Sequence, residues 1–264
     1  MAEVKIAAQV YSVRGEAEKD FPGTMKALKE CGYEGVELAG LYGHSPEEIR
    51  DWLQEQELVP VSAHVGLDLF QQDLEGTVAA YRTIGCRYIG IPYLPGERLP
   101  GGSLYEETCS LMREISHSCR EKGMILLYHN HTFEFEKTPS GTFVLEEIYQ
   151  SLGAEELQTE LQTELDTCWA KVAGEDPAAW LQKYQGRCPV VHMKDFRRGQ
   201  DGVQLAALGT GEQDVAGIVR TAVECGAAWL VVEQDDHPWG SPMENMRTGC
   251  KCLEGILAAG CGKA

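Results

Sequence analysis

The chain has 264 residues, which suits a single TIM barrel of about 250 residues, and its 43% hydrophobic and 24% charged composition is that of a chain that buries a core. Its 41 acidic residues against 23 Lys and Arg give a formal net charge of −18, which argues against a nucleic-acid partner because such binding depends on basic side chains. No apolar run approaches the roughly 20 residues that cross a bilayer, and nothing after Met1 resembles a signal peptide, so we expect a cytoplasmic protein with no membrane partner.

Eight short aliphatic or β-branched runs recur along the chain, separated by longer segments with helical periodicity. The predicted strands are Val4–Val10, Gly35–Leu38, Leu58–Ala63, Tyr88–Ile91, Met124–Tyr128, Leu161–Leu165, Val190–Met193 and Trp229–Glu233. Glycines at positions 32, 123, 186 and 226 stand just before strands, where they mark helix ends. This pattern predicts an α/β fold, a (β/α)8 TIM barrel forming one domain over residues 1–264. An open doubly wound sheet is the alternative, although no GxGxxG follows the first strand.

Unusual polar residues stand at the ends of these predicted strands, which is where a TIM barrel builds its active site. Six of the seven histidines lie at or just past a strand end, and only His117 lies inside a predicted helix. Carboxylates and imidazoles that converge on one barrel mouth repel each other or stay hydrated unless a cation holds them. We therefore expect a divalent metal site, the alternative for each residue being a helix cap, a loop salt bridge or a core histidine.

Several motifs, read in chain order, resemble the sugar phosphate isomerase/epimerase family of xylose-isomerase-like TIM barrels nearly end to end. The motifs are residues 9–14 (QVYSVR), 32–40 (GYEGVELAG), 62–66 (SAHVG), 128–135 (YHNHTFEF), 164–169 (ELDTCW), 191–195 (VHMKD), 209–211 (GTG) and 232–236 (VEQDD). The last five are the more specific.

The resemblance implies one divalent ion held by four ligands, which map onto Glu134, Asp166, His192 and Glu233. Because Glu134 lies several residues past the fifth strand, either His131 or His129 is an alternative ligand. We expect Mn²⁺, with Mg²⁺, Co²⁺ or Zn²⁺ as alternatives.

The resemblance also implies a reaction that removes a proton next to a carbonyl and passes through an enediolate. Glu134 and Glu233 are the expected bases, one to remove the proton and the other to return it. Lys194 is expected to neutralise charge on the oxyanion, its other role being a salt bridge to Asp195 or Asp236. The residues expected to contact substrate are Glu37, His64, His129, His131 and Lys194.

We therefore expect an isomerase or epimerase of carbohydrate metabolism that acts on a ketose or a similar keto sugar. The alternative within the family is a lyase that dehydrates an inosose or acts on a 3-keto-glycoside, and less favoured are an endonuclease-IV-like nuclease and a non-catalytic sugar-binding barrel. The partner is a small sugar or cyclitol, and a homo-oligomer is left open. Residues 209–211 could bind a phosphate group only weakly, and the nearest basic residues are Arg197 and Arg198.

Overall fold

A computed structural model describes residues 4–152, 161–200 and 202–260. The strands are β1 (Lys5–Gln9), β2 (Gly35–Leu38), β3 (Val59–His64), β4 (Tyr88–Ile91), β5 (Ile125–His129), β6 (Leu161–Asp166), β7 (Val190–Met193), β8 (Asp195–Gly199), β9 (Gly202–Ala206) and β10 (Trp229–Val232). Eight of them pair in parallel and close into a barrel in the order β1-β10-β7-β6-β5-β4-β3-β2. The predicted TIM barrel is confirmed, and the open sheet is not the fold.

Helices cover the outside of the barrel. They are α1 (Arg14–Ala17), α2 (Phe21–Cys31), α3 (Pro46–Glu55), α4 (Leu67–Gln72), α5 (Leu74–Ile84), α6 (Tyr105–Glu121), α7 (Val144–Ser151), α8 (Thr167–Val172), α9 (Pro177–Lys183), α10 (Val215–Glu224) and α11 (Pro242–Ala258). The predicted helix-ending glycines at positions 32, 123, 186 and 226 all have positive φ, a conformation that costs glycine little. None of the helices among the described residues is both long and apolar enough to cross a membrane.

The barrel interior changes from apolar to polar along the strands. Ala7, Val61, Leu127, Val190 and Val231 form a small apolar cluster inside the barrel. Alternate residues of a strand face the same side, so the residues two positions later on four of these strands also point inward, about 6–7 Å further along. Those residues are Gln9, His129, His192 and Glu233. A layer of polar side chains therefore lies directly above the apolar cluster.

An antiparallel hairpin, β8 with β9, lies between β7 and α10 and was not predicted. Three residues of each hairpin strand are exposed, so the segment lacks the apolar run that identified the barrel strands. Asp195 begins the hairpin and pairs with Ala206. The hairpin therefore starts only two residues after the end of β7.

Candidate metal centre

Four buried side chains that offer nitrogen or oxygen ligands meet at the carboxyl ends of β5, β6, β7 and β10. They come from His129, Asp166, His192 and Glu233, and one ligand atom from each lies within 4.8 Å of those of the other three. The most exposed of the four, Glu233, has only 5% of its surface accessible. Two imidazoles and two carboxylates at this spacing can bind a divalent ion.

Asp166 has its two carboxylate oxygens in different roles. Oδ1 caps α8, accepting hydrogen bonds from the backbone N–H groups of Cys168 at 2.9 Å and Trp169 at 2.8 Å. Oδ2 is buried and accepts no hydrogen bond among the described residues, although the Lys194 ammonium lies 3.1 Å away. The cap fixes the carboxylate, and its remaining oxygen faces the cluster.

The His192 ring is held between two carboxylates. Nδ1 lies 2.8 Å from Glu233 Oε2, and Nε2 lies 2.6 Å from Glu37 Oε2. Burial alone would lower the pKa of His192, but Glu37, Glu233 and Glu164 raise it well above its ordinary value. The carboxylates thus create a strong negative potential at this ring, which a cation would relieve.

Glu37 is fully buried beneath the cluster. Its Oε1 accepts a hydrogen bond from the Ser62 hydroxyl at 2.6 Å, and its Oε2 accepts one from Gln9 Nε2 at 2.7 Å. Burial favours the neutral acid, yet the imidazoles of His64 and His192 outweigh it and hold the pKa of Glu37 below its usual range. Glu37 thus contacts His192 from within the barrel and does not line the cavity of about 420 Å³ at the barrel mouth. A carboxylate in this position can orient the imidazole.

Lys194 places a buried ammonium among three carboxylates. Its Nζ lies 2.8 Å from Glu233 Oε2, 3.1 Å from Asp166 Oδ2 and 3.0 Å from Asp235 Oδ2. Burial lowers the pKa of Lys194, but these carboxylates raise it well above its ordinary value. The ammonium is therefore charged at neutral pH. Its partners differ from the Asp195 and Asp236 expected from sequence.

Two neighbouring histidines differ in their burial. His129 is buried with Nδ1 unpartnered among the described residues, and desolvation, followed by His192 and His64, lowers its pKa well below the usual value. His131 is only partly buried at the surface, and its pKa is lowered to about 4, chiefly by desolvation and then by Lys194. Both rings are therefore neutral, which is the form that ligates a metal.

Glu134 is not among the four clustered residues. Its Oε1 accepts a hydrogen bond from the Tyr128 hydroxyl at 2.9 Å, and its Oε2 accepts one from the His131 backbone N–H at 2.7 Å. Burial raises its pKa to about 7. Both oxygens thus accept hydrogen bonds, one from β5 and one from the loop that follows it. His129, the alternative ligand expected from sequence, lies in the cluster instead of Glu134.

Glu164 lies beside His64 and His192 and is not among the site residues predicted from the sequence. Its Oε2 lies 2.8 Å from His64 Nε2, while its Oε1 is buried with no hydrogen-bond partner among the described residues. Burial, followed by repulsion from Glu37, raises the pKa of Glu164 to about 7. Because Glu164 precedes Asp166 by two positions on β6, strand alternation was the signal that could have identified it.

A cavity of about 420 Å³ opens above the cluster. Of the predicted residues, His64, His129, His131, Lys194 and Glu233 line it. Tyr11 and Tyr93 line it too and are 41% and 52% exposed, which places aromatic surface at its open side. His44 and His237, also near strand ends, do not line this cavity: His44 packs on Trp52, and His237 Nε2 lies 2.7 Å from the Ser12 carbonyl.

The loop at residues 209–211 is closed by an internal carboxylate. Asp195 accepts hydrogen bonds from the backbone N–H groups of Phe196, Gly209, Gly211 and Gln213 at 2.8–3.0 Å. A Cβ on Gly211 would lie 2.2 Å from Asp195 Oδ1, so the close approach requires glycine. Backbone N–H groups of this kind bind phosphate in other barrels, but here Asp195 occupies them.

Comparison with known proteins agrees with this architecture. Residues 25–256 match the family described as Xylose isomerase-like TIM barrel. The chain belongs to that family. Membership accounts for the barrel and its carboxyl-end site, and leaves the substrate open because one fold supports many reactions.

Individual relatives are similar over four-fifths or more of their lengths. An inosose dehydratase of Geobacillus kaustophilus is 26% identical over 257 residues, covering 81% of this chain and 80% of the relative. Among solved structures, a sugar phosphate isomerase/epimerase of Parabacteroides distasonis superposes with a TM-score of 0.78 at 19% identity, covering 96% of this chain and 97% of the other. The IOLI protein with a bound zinc atom superposes with a TM-score of 0.70 at 14% identity, covering 97% and 99%. At these identities the solved structures establish the fold alone.

Proposed function

We propose that this protein is a divalent-metal-dependent epimerase or isomerase that removes a proton next to the carbonyl of a small keto sugar or keto cyclitol. The observation that carries the proposal is the convergence of His129, Asp166, His192 and Glu233 on one point at the barrel mouth, beneath a cavity that His64, Lys194 and Glu233 also line. The family membership of the chain supports the same chemistry.

The proposed ligands are the four clustered residues, with His129 in place of Glu134. Asp166 Oδ2, which accepts no hydrogen bond among the described residues, and the neutral His129 ring fit a metal ion. Two imidazoles with two carboxylates suit Mn²⁺, Co²⁺ or Zn²⁺ better than Mg²⁺, which prefers oxygen ligands. The zinc atom in the IOLI protein is in keeping with this choice. When bound, the ion would polarise the substrate carbonyl and stabilise negative charge on its oxygen.

Glu233 and Lys194 are proposed to act on the substrate. Glu233 lines the cavity, and its carboxylate is kept ionised because Lys194 and His192 hold its pKa well below the usual value despite burial. It is the proposed base that takes the proton from carbon. Lys194, charged and also in the lining, would stabilise the enediolate oxygen.

The groups around the cavity favour a substrate without a phosphate group. The Asp195 carboxylate already accepts hydrogen bonds from backbone N–H groups of the loop at 209–211, and the Lys194 ammonium already contacts three carboxylates. Arg197 donates to the Thr210 carbonyl, and Arg198 pairs with Glu212. A neutral polyol with a ketone satisfies this lining better than a sugar phosphate does.

A dehydratase is the second candidate, favoured by the inosose dehydratase similar over four-fifths of the chain. It shares the first step, because loss of the proton next to the carbonyl also precedes elimination of a hydroxyl. The nuclease alternative is disfavoured by the net charge of −18, since a polyanion would be repelled.

The deciding experiment incubates the Mn²⁺-loaded protein in D2O with ketohexoses, inososes and 3-keto-glycosides. We expect deuterium next to the carbonyl of one class, and the product identifies the outcome: an epimer or isomer supports the first candidate, and an unsaturated ketone supports the second. Asp166→Asn, which keeps the shape of a ligand but removes its charge, is the matched control and should give no exchange. No exchange by the wild-type protein with any member would contradict the proposal.

A further inference from the structure

A reaction that inverts a carbon needs two proton carriers on opposite faces of the substrate. Glu233 is one, and sequence reasoning expected Glu134 to be the other. Both Glu134 oxygens, however, accept hydrogen bonds, from the Tyr128 hydroxyl on β5 and from the His131 backbone N–H. The second carrier must therefore be another residue of the cavity lining.

We propose that His64, positioned by Glu164, is the second proton carrier of this site. The role rests on the proposed function, because it requires a substrate that loses a proton to Glu233. Of the residues that line the cavity, His64 lies across the barrel from Lys194 and Glu233, and its ring contacts the buried carboxylate of Glu164 at 2.8 Å.

The barrel order places His64 across the site. It ends β3, which lies four positions from β7 in the closed eight-strand barrel and three from β10, the strands that carry Lys194 and Glu233 at their ends. Its ring centroid lies 5.0 Å from that of His129 and 5.2 Å from that of His192. A small substrate held above the cluster would therefore meet Glu233 on one side and His64 on the other.

The contacts of His64 leave one ring nitrogen for the substrate. Both of its carboxylate contacts are made by Nε2, at 2.8 Å to Glu164 Oε2 and 3.4 Å to Glu37 Oε2. A carboxylate beside one nitrogen fixes the tautomer and stabilises the imidazolium when the other nitrogen accepts a proton. Nδ1 is thus the nitrogen that exchanges a proton with the substrate, and Glu164 is a positioning residue.

The pair packs against a glycine, because no larger residue fits beside it on β4. A Cβ added to Gly90 on β4 would lie 2.6 Å from Glu164 Oε2 and 3.0 Å from the His64 ring. Glu164 is fully buried, and its second oxygen has no hydrogen-bond partner among the described residues. A carboxylate buried in this way without a full set of partners is costly, which suits a functional role better than a purely structural one.

Glu233 takes the proton from the carbon next to the carbonyl, the C–H electron pair becomes the carbon–carbon double bond of the enediolate, and the C=O π pair moves onto the carbonyl oxygen. The C=C pair then forms a new C–H bond with the Nδ1 proton of the His64 imidazolium at the opposite face, and the oxygen pair re-forms C=O, which gives the epimer. Glu233 afterwards releases its proton to water and His64 regains one from water, so that no net proton is consumed. In an elimination the same proton would instead pass to the departing hydroxyl as its C–O bond breaks, releasing water.

Partial reactions test the role. In D2O, Mn²⁺-loaded His64→Asn is expected to exchange the substrate proton for deuterium at a rate within about tenfold of the wild-type rate. Its rate of product formation should fall by about 10²–10⁴-fold. The probes are the inosose and ketohexose of the D2O panel. Glu164→Gln, which preserves shape, should show the same pattern with a loss of about 10–100-fold at unchanged metal content. His117→Asn is the matched control, because His117 lies on α6 with a 61% exposed side chain.

The outcomes separate this role from the proposed function. Exchange without product in His64→Asn supports it, whereas product formation equal to that of His117→Asn overturns it. A parallel loss of exchange and product with the metal retained also overturns it, since His64 would then act in binding or structure. Absence of exchange in the wild-type protein would overturn the proposed function, and this role with it.

Discussion

Glu134→Gln should stabilise the protein at alkaline pH. The Glu134 carboxyl sits between the Tyr128 hydroxyl at 2.9 Å and the His131 N–H at 2.7 Å, and burial raises its pKa from 4.5 to about 7. Between these values the folded protein holds a proton that the unfolded chain releases, so stability falls as the pH rises through this window. The elevation corresponds to about 3 kcal/mol of lost stability above pH 7.

Glutamine reproduces the neutral acid, because its carbonyl can accept from the His131 N–H and its amide can donate to the Tyr128 oxygen. Guanidinium chloride unfolding should show the variant to be more stable than wild type by up to about 3 kcal/mol at pH 8, and by less than about 1 kcal/mol at pH 5. Glu136→Gln, the same substitution at an exposed position, is the control. The variant should also retain its metal ion. Equal stability at both pH values would refute the elevated pKa, and loss of the metal would restore Glu134 as a ligand.

Three further predictions concern neighbouring residues. Asp166→Ala and His192→Ala should each lose the metal ion and all turnover while circular dichroism still reports a folded barrel; normal metal content and turnover in both would refute the ligand assignment. Glu37→Gln should weaken metal affinity by about 10–100-fold, as measured by titration against a chelator, because the hydrogen bond that orients His192 loses its charge; unchanged affinity would remove Glu37 from this role. Asp195→Ala should free four backbone N–H groups, so inorganic phosphate should raise the Tm of this variant and leave that of wild type unchanged; an equal effect on both proteins would show that Asp195 does not block the loop.

The barrel could be predicted because its strands, buried on both faces, are short apolar runs marked off by helix-ending glycines. The hairpin of β8 and β9 could not, since its exposed residues carry no apolar pattern. The same limit applies to contacts that depend on side-chain direction.

The site was predicted to the level of strand ends, which placed Asp166, His192 and Glu233 near one another. Spacing alone could not show that the chain turns after His129 so that Glu134 bonds to its own loop. Nor could it show that Glu37 lies beneath His192, because that contact joins residues 155 positions apart. Glu164 could have been predicted from the sequence, because strand alternation places it on the same side of β6 as Asp166.

Anomalous diffraction from crystals of the Mn²⁺-loaded protein, collected above and below the manganese edge, tests the proposed ligand set directly. We expect one peak about 2 Å from ligand atoms of His129, Asp166, His192 and Glu233, with Glu134 still hydrogen-bonded to Tyr128. A peak coordinated by Glu134 instead of His129, or no peak at the barrel mouth, would contradict it.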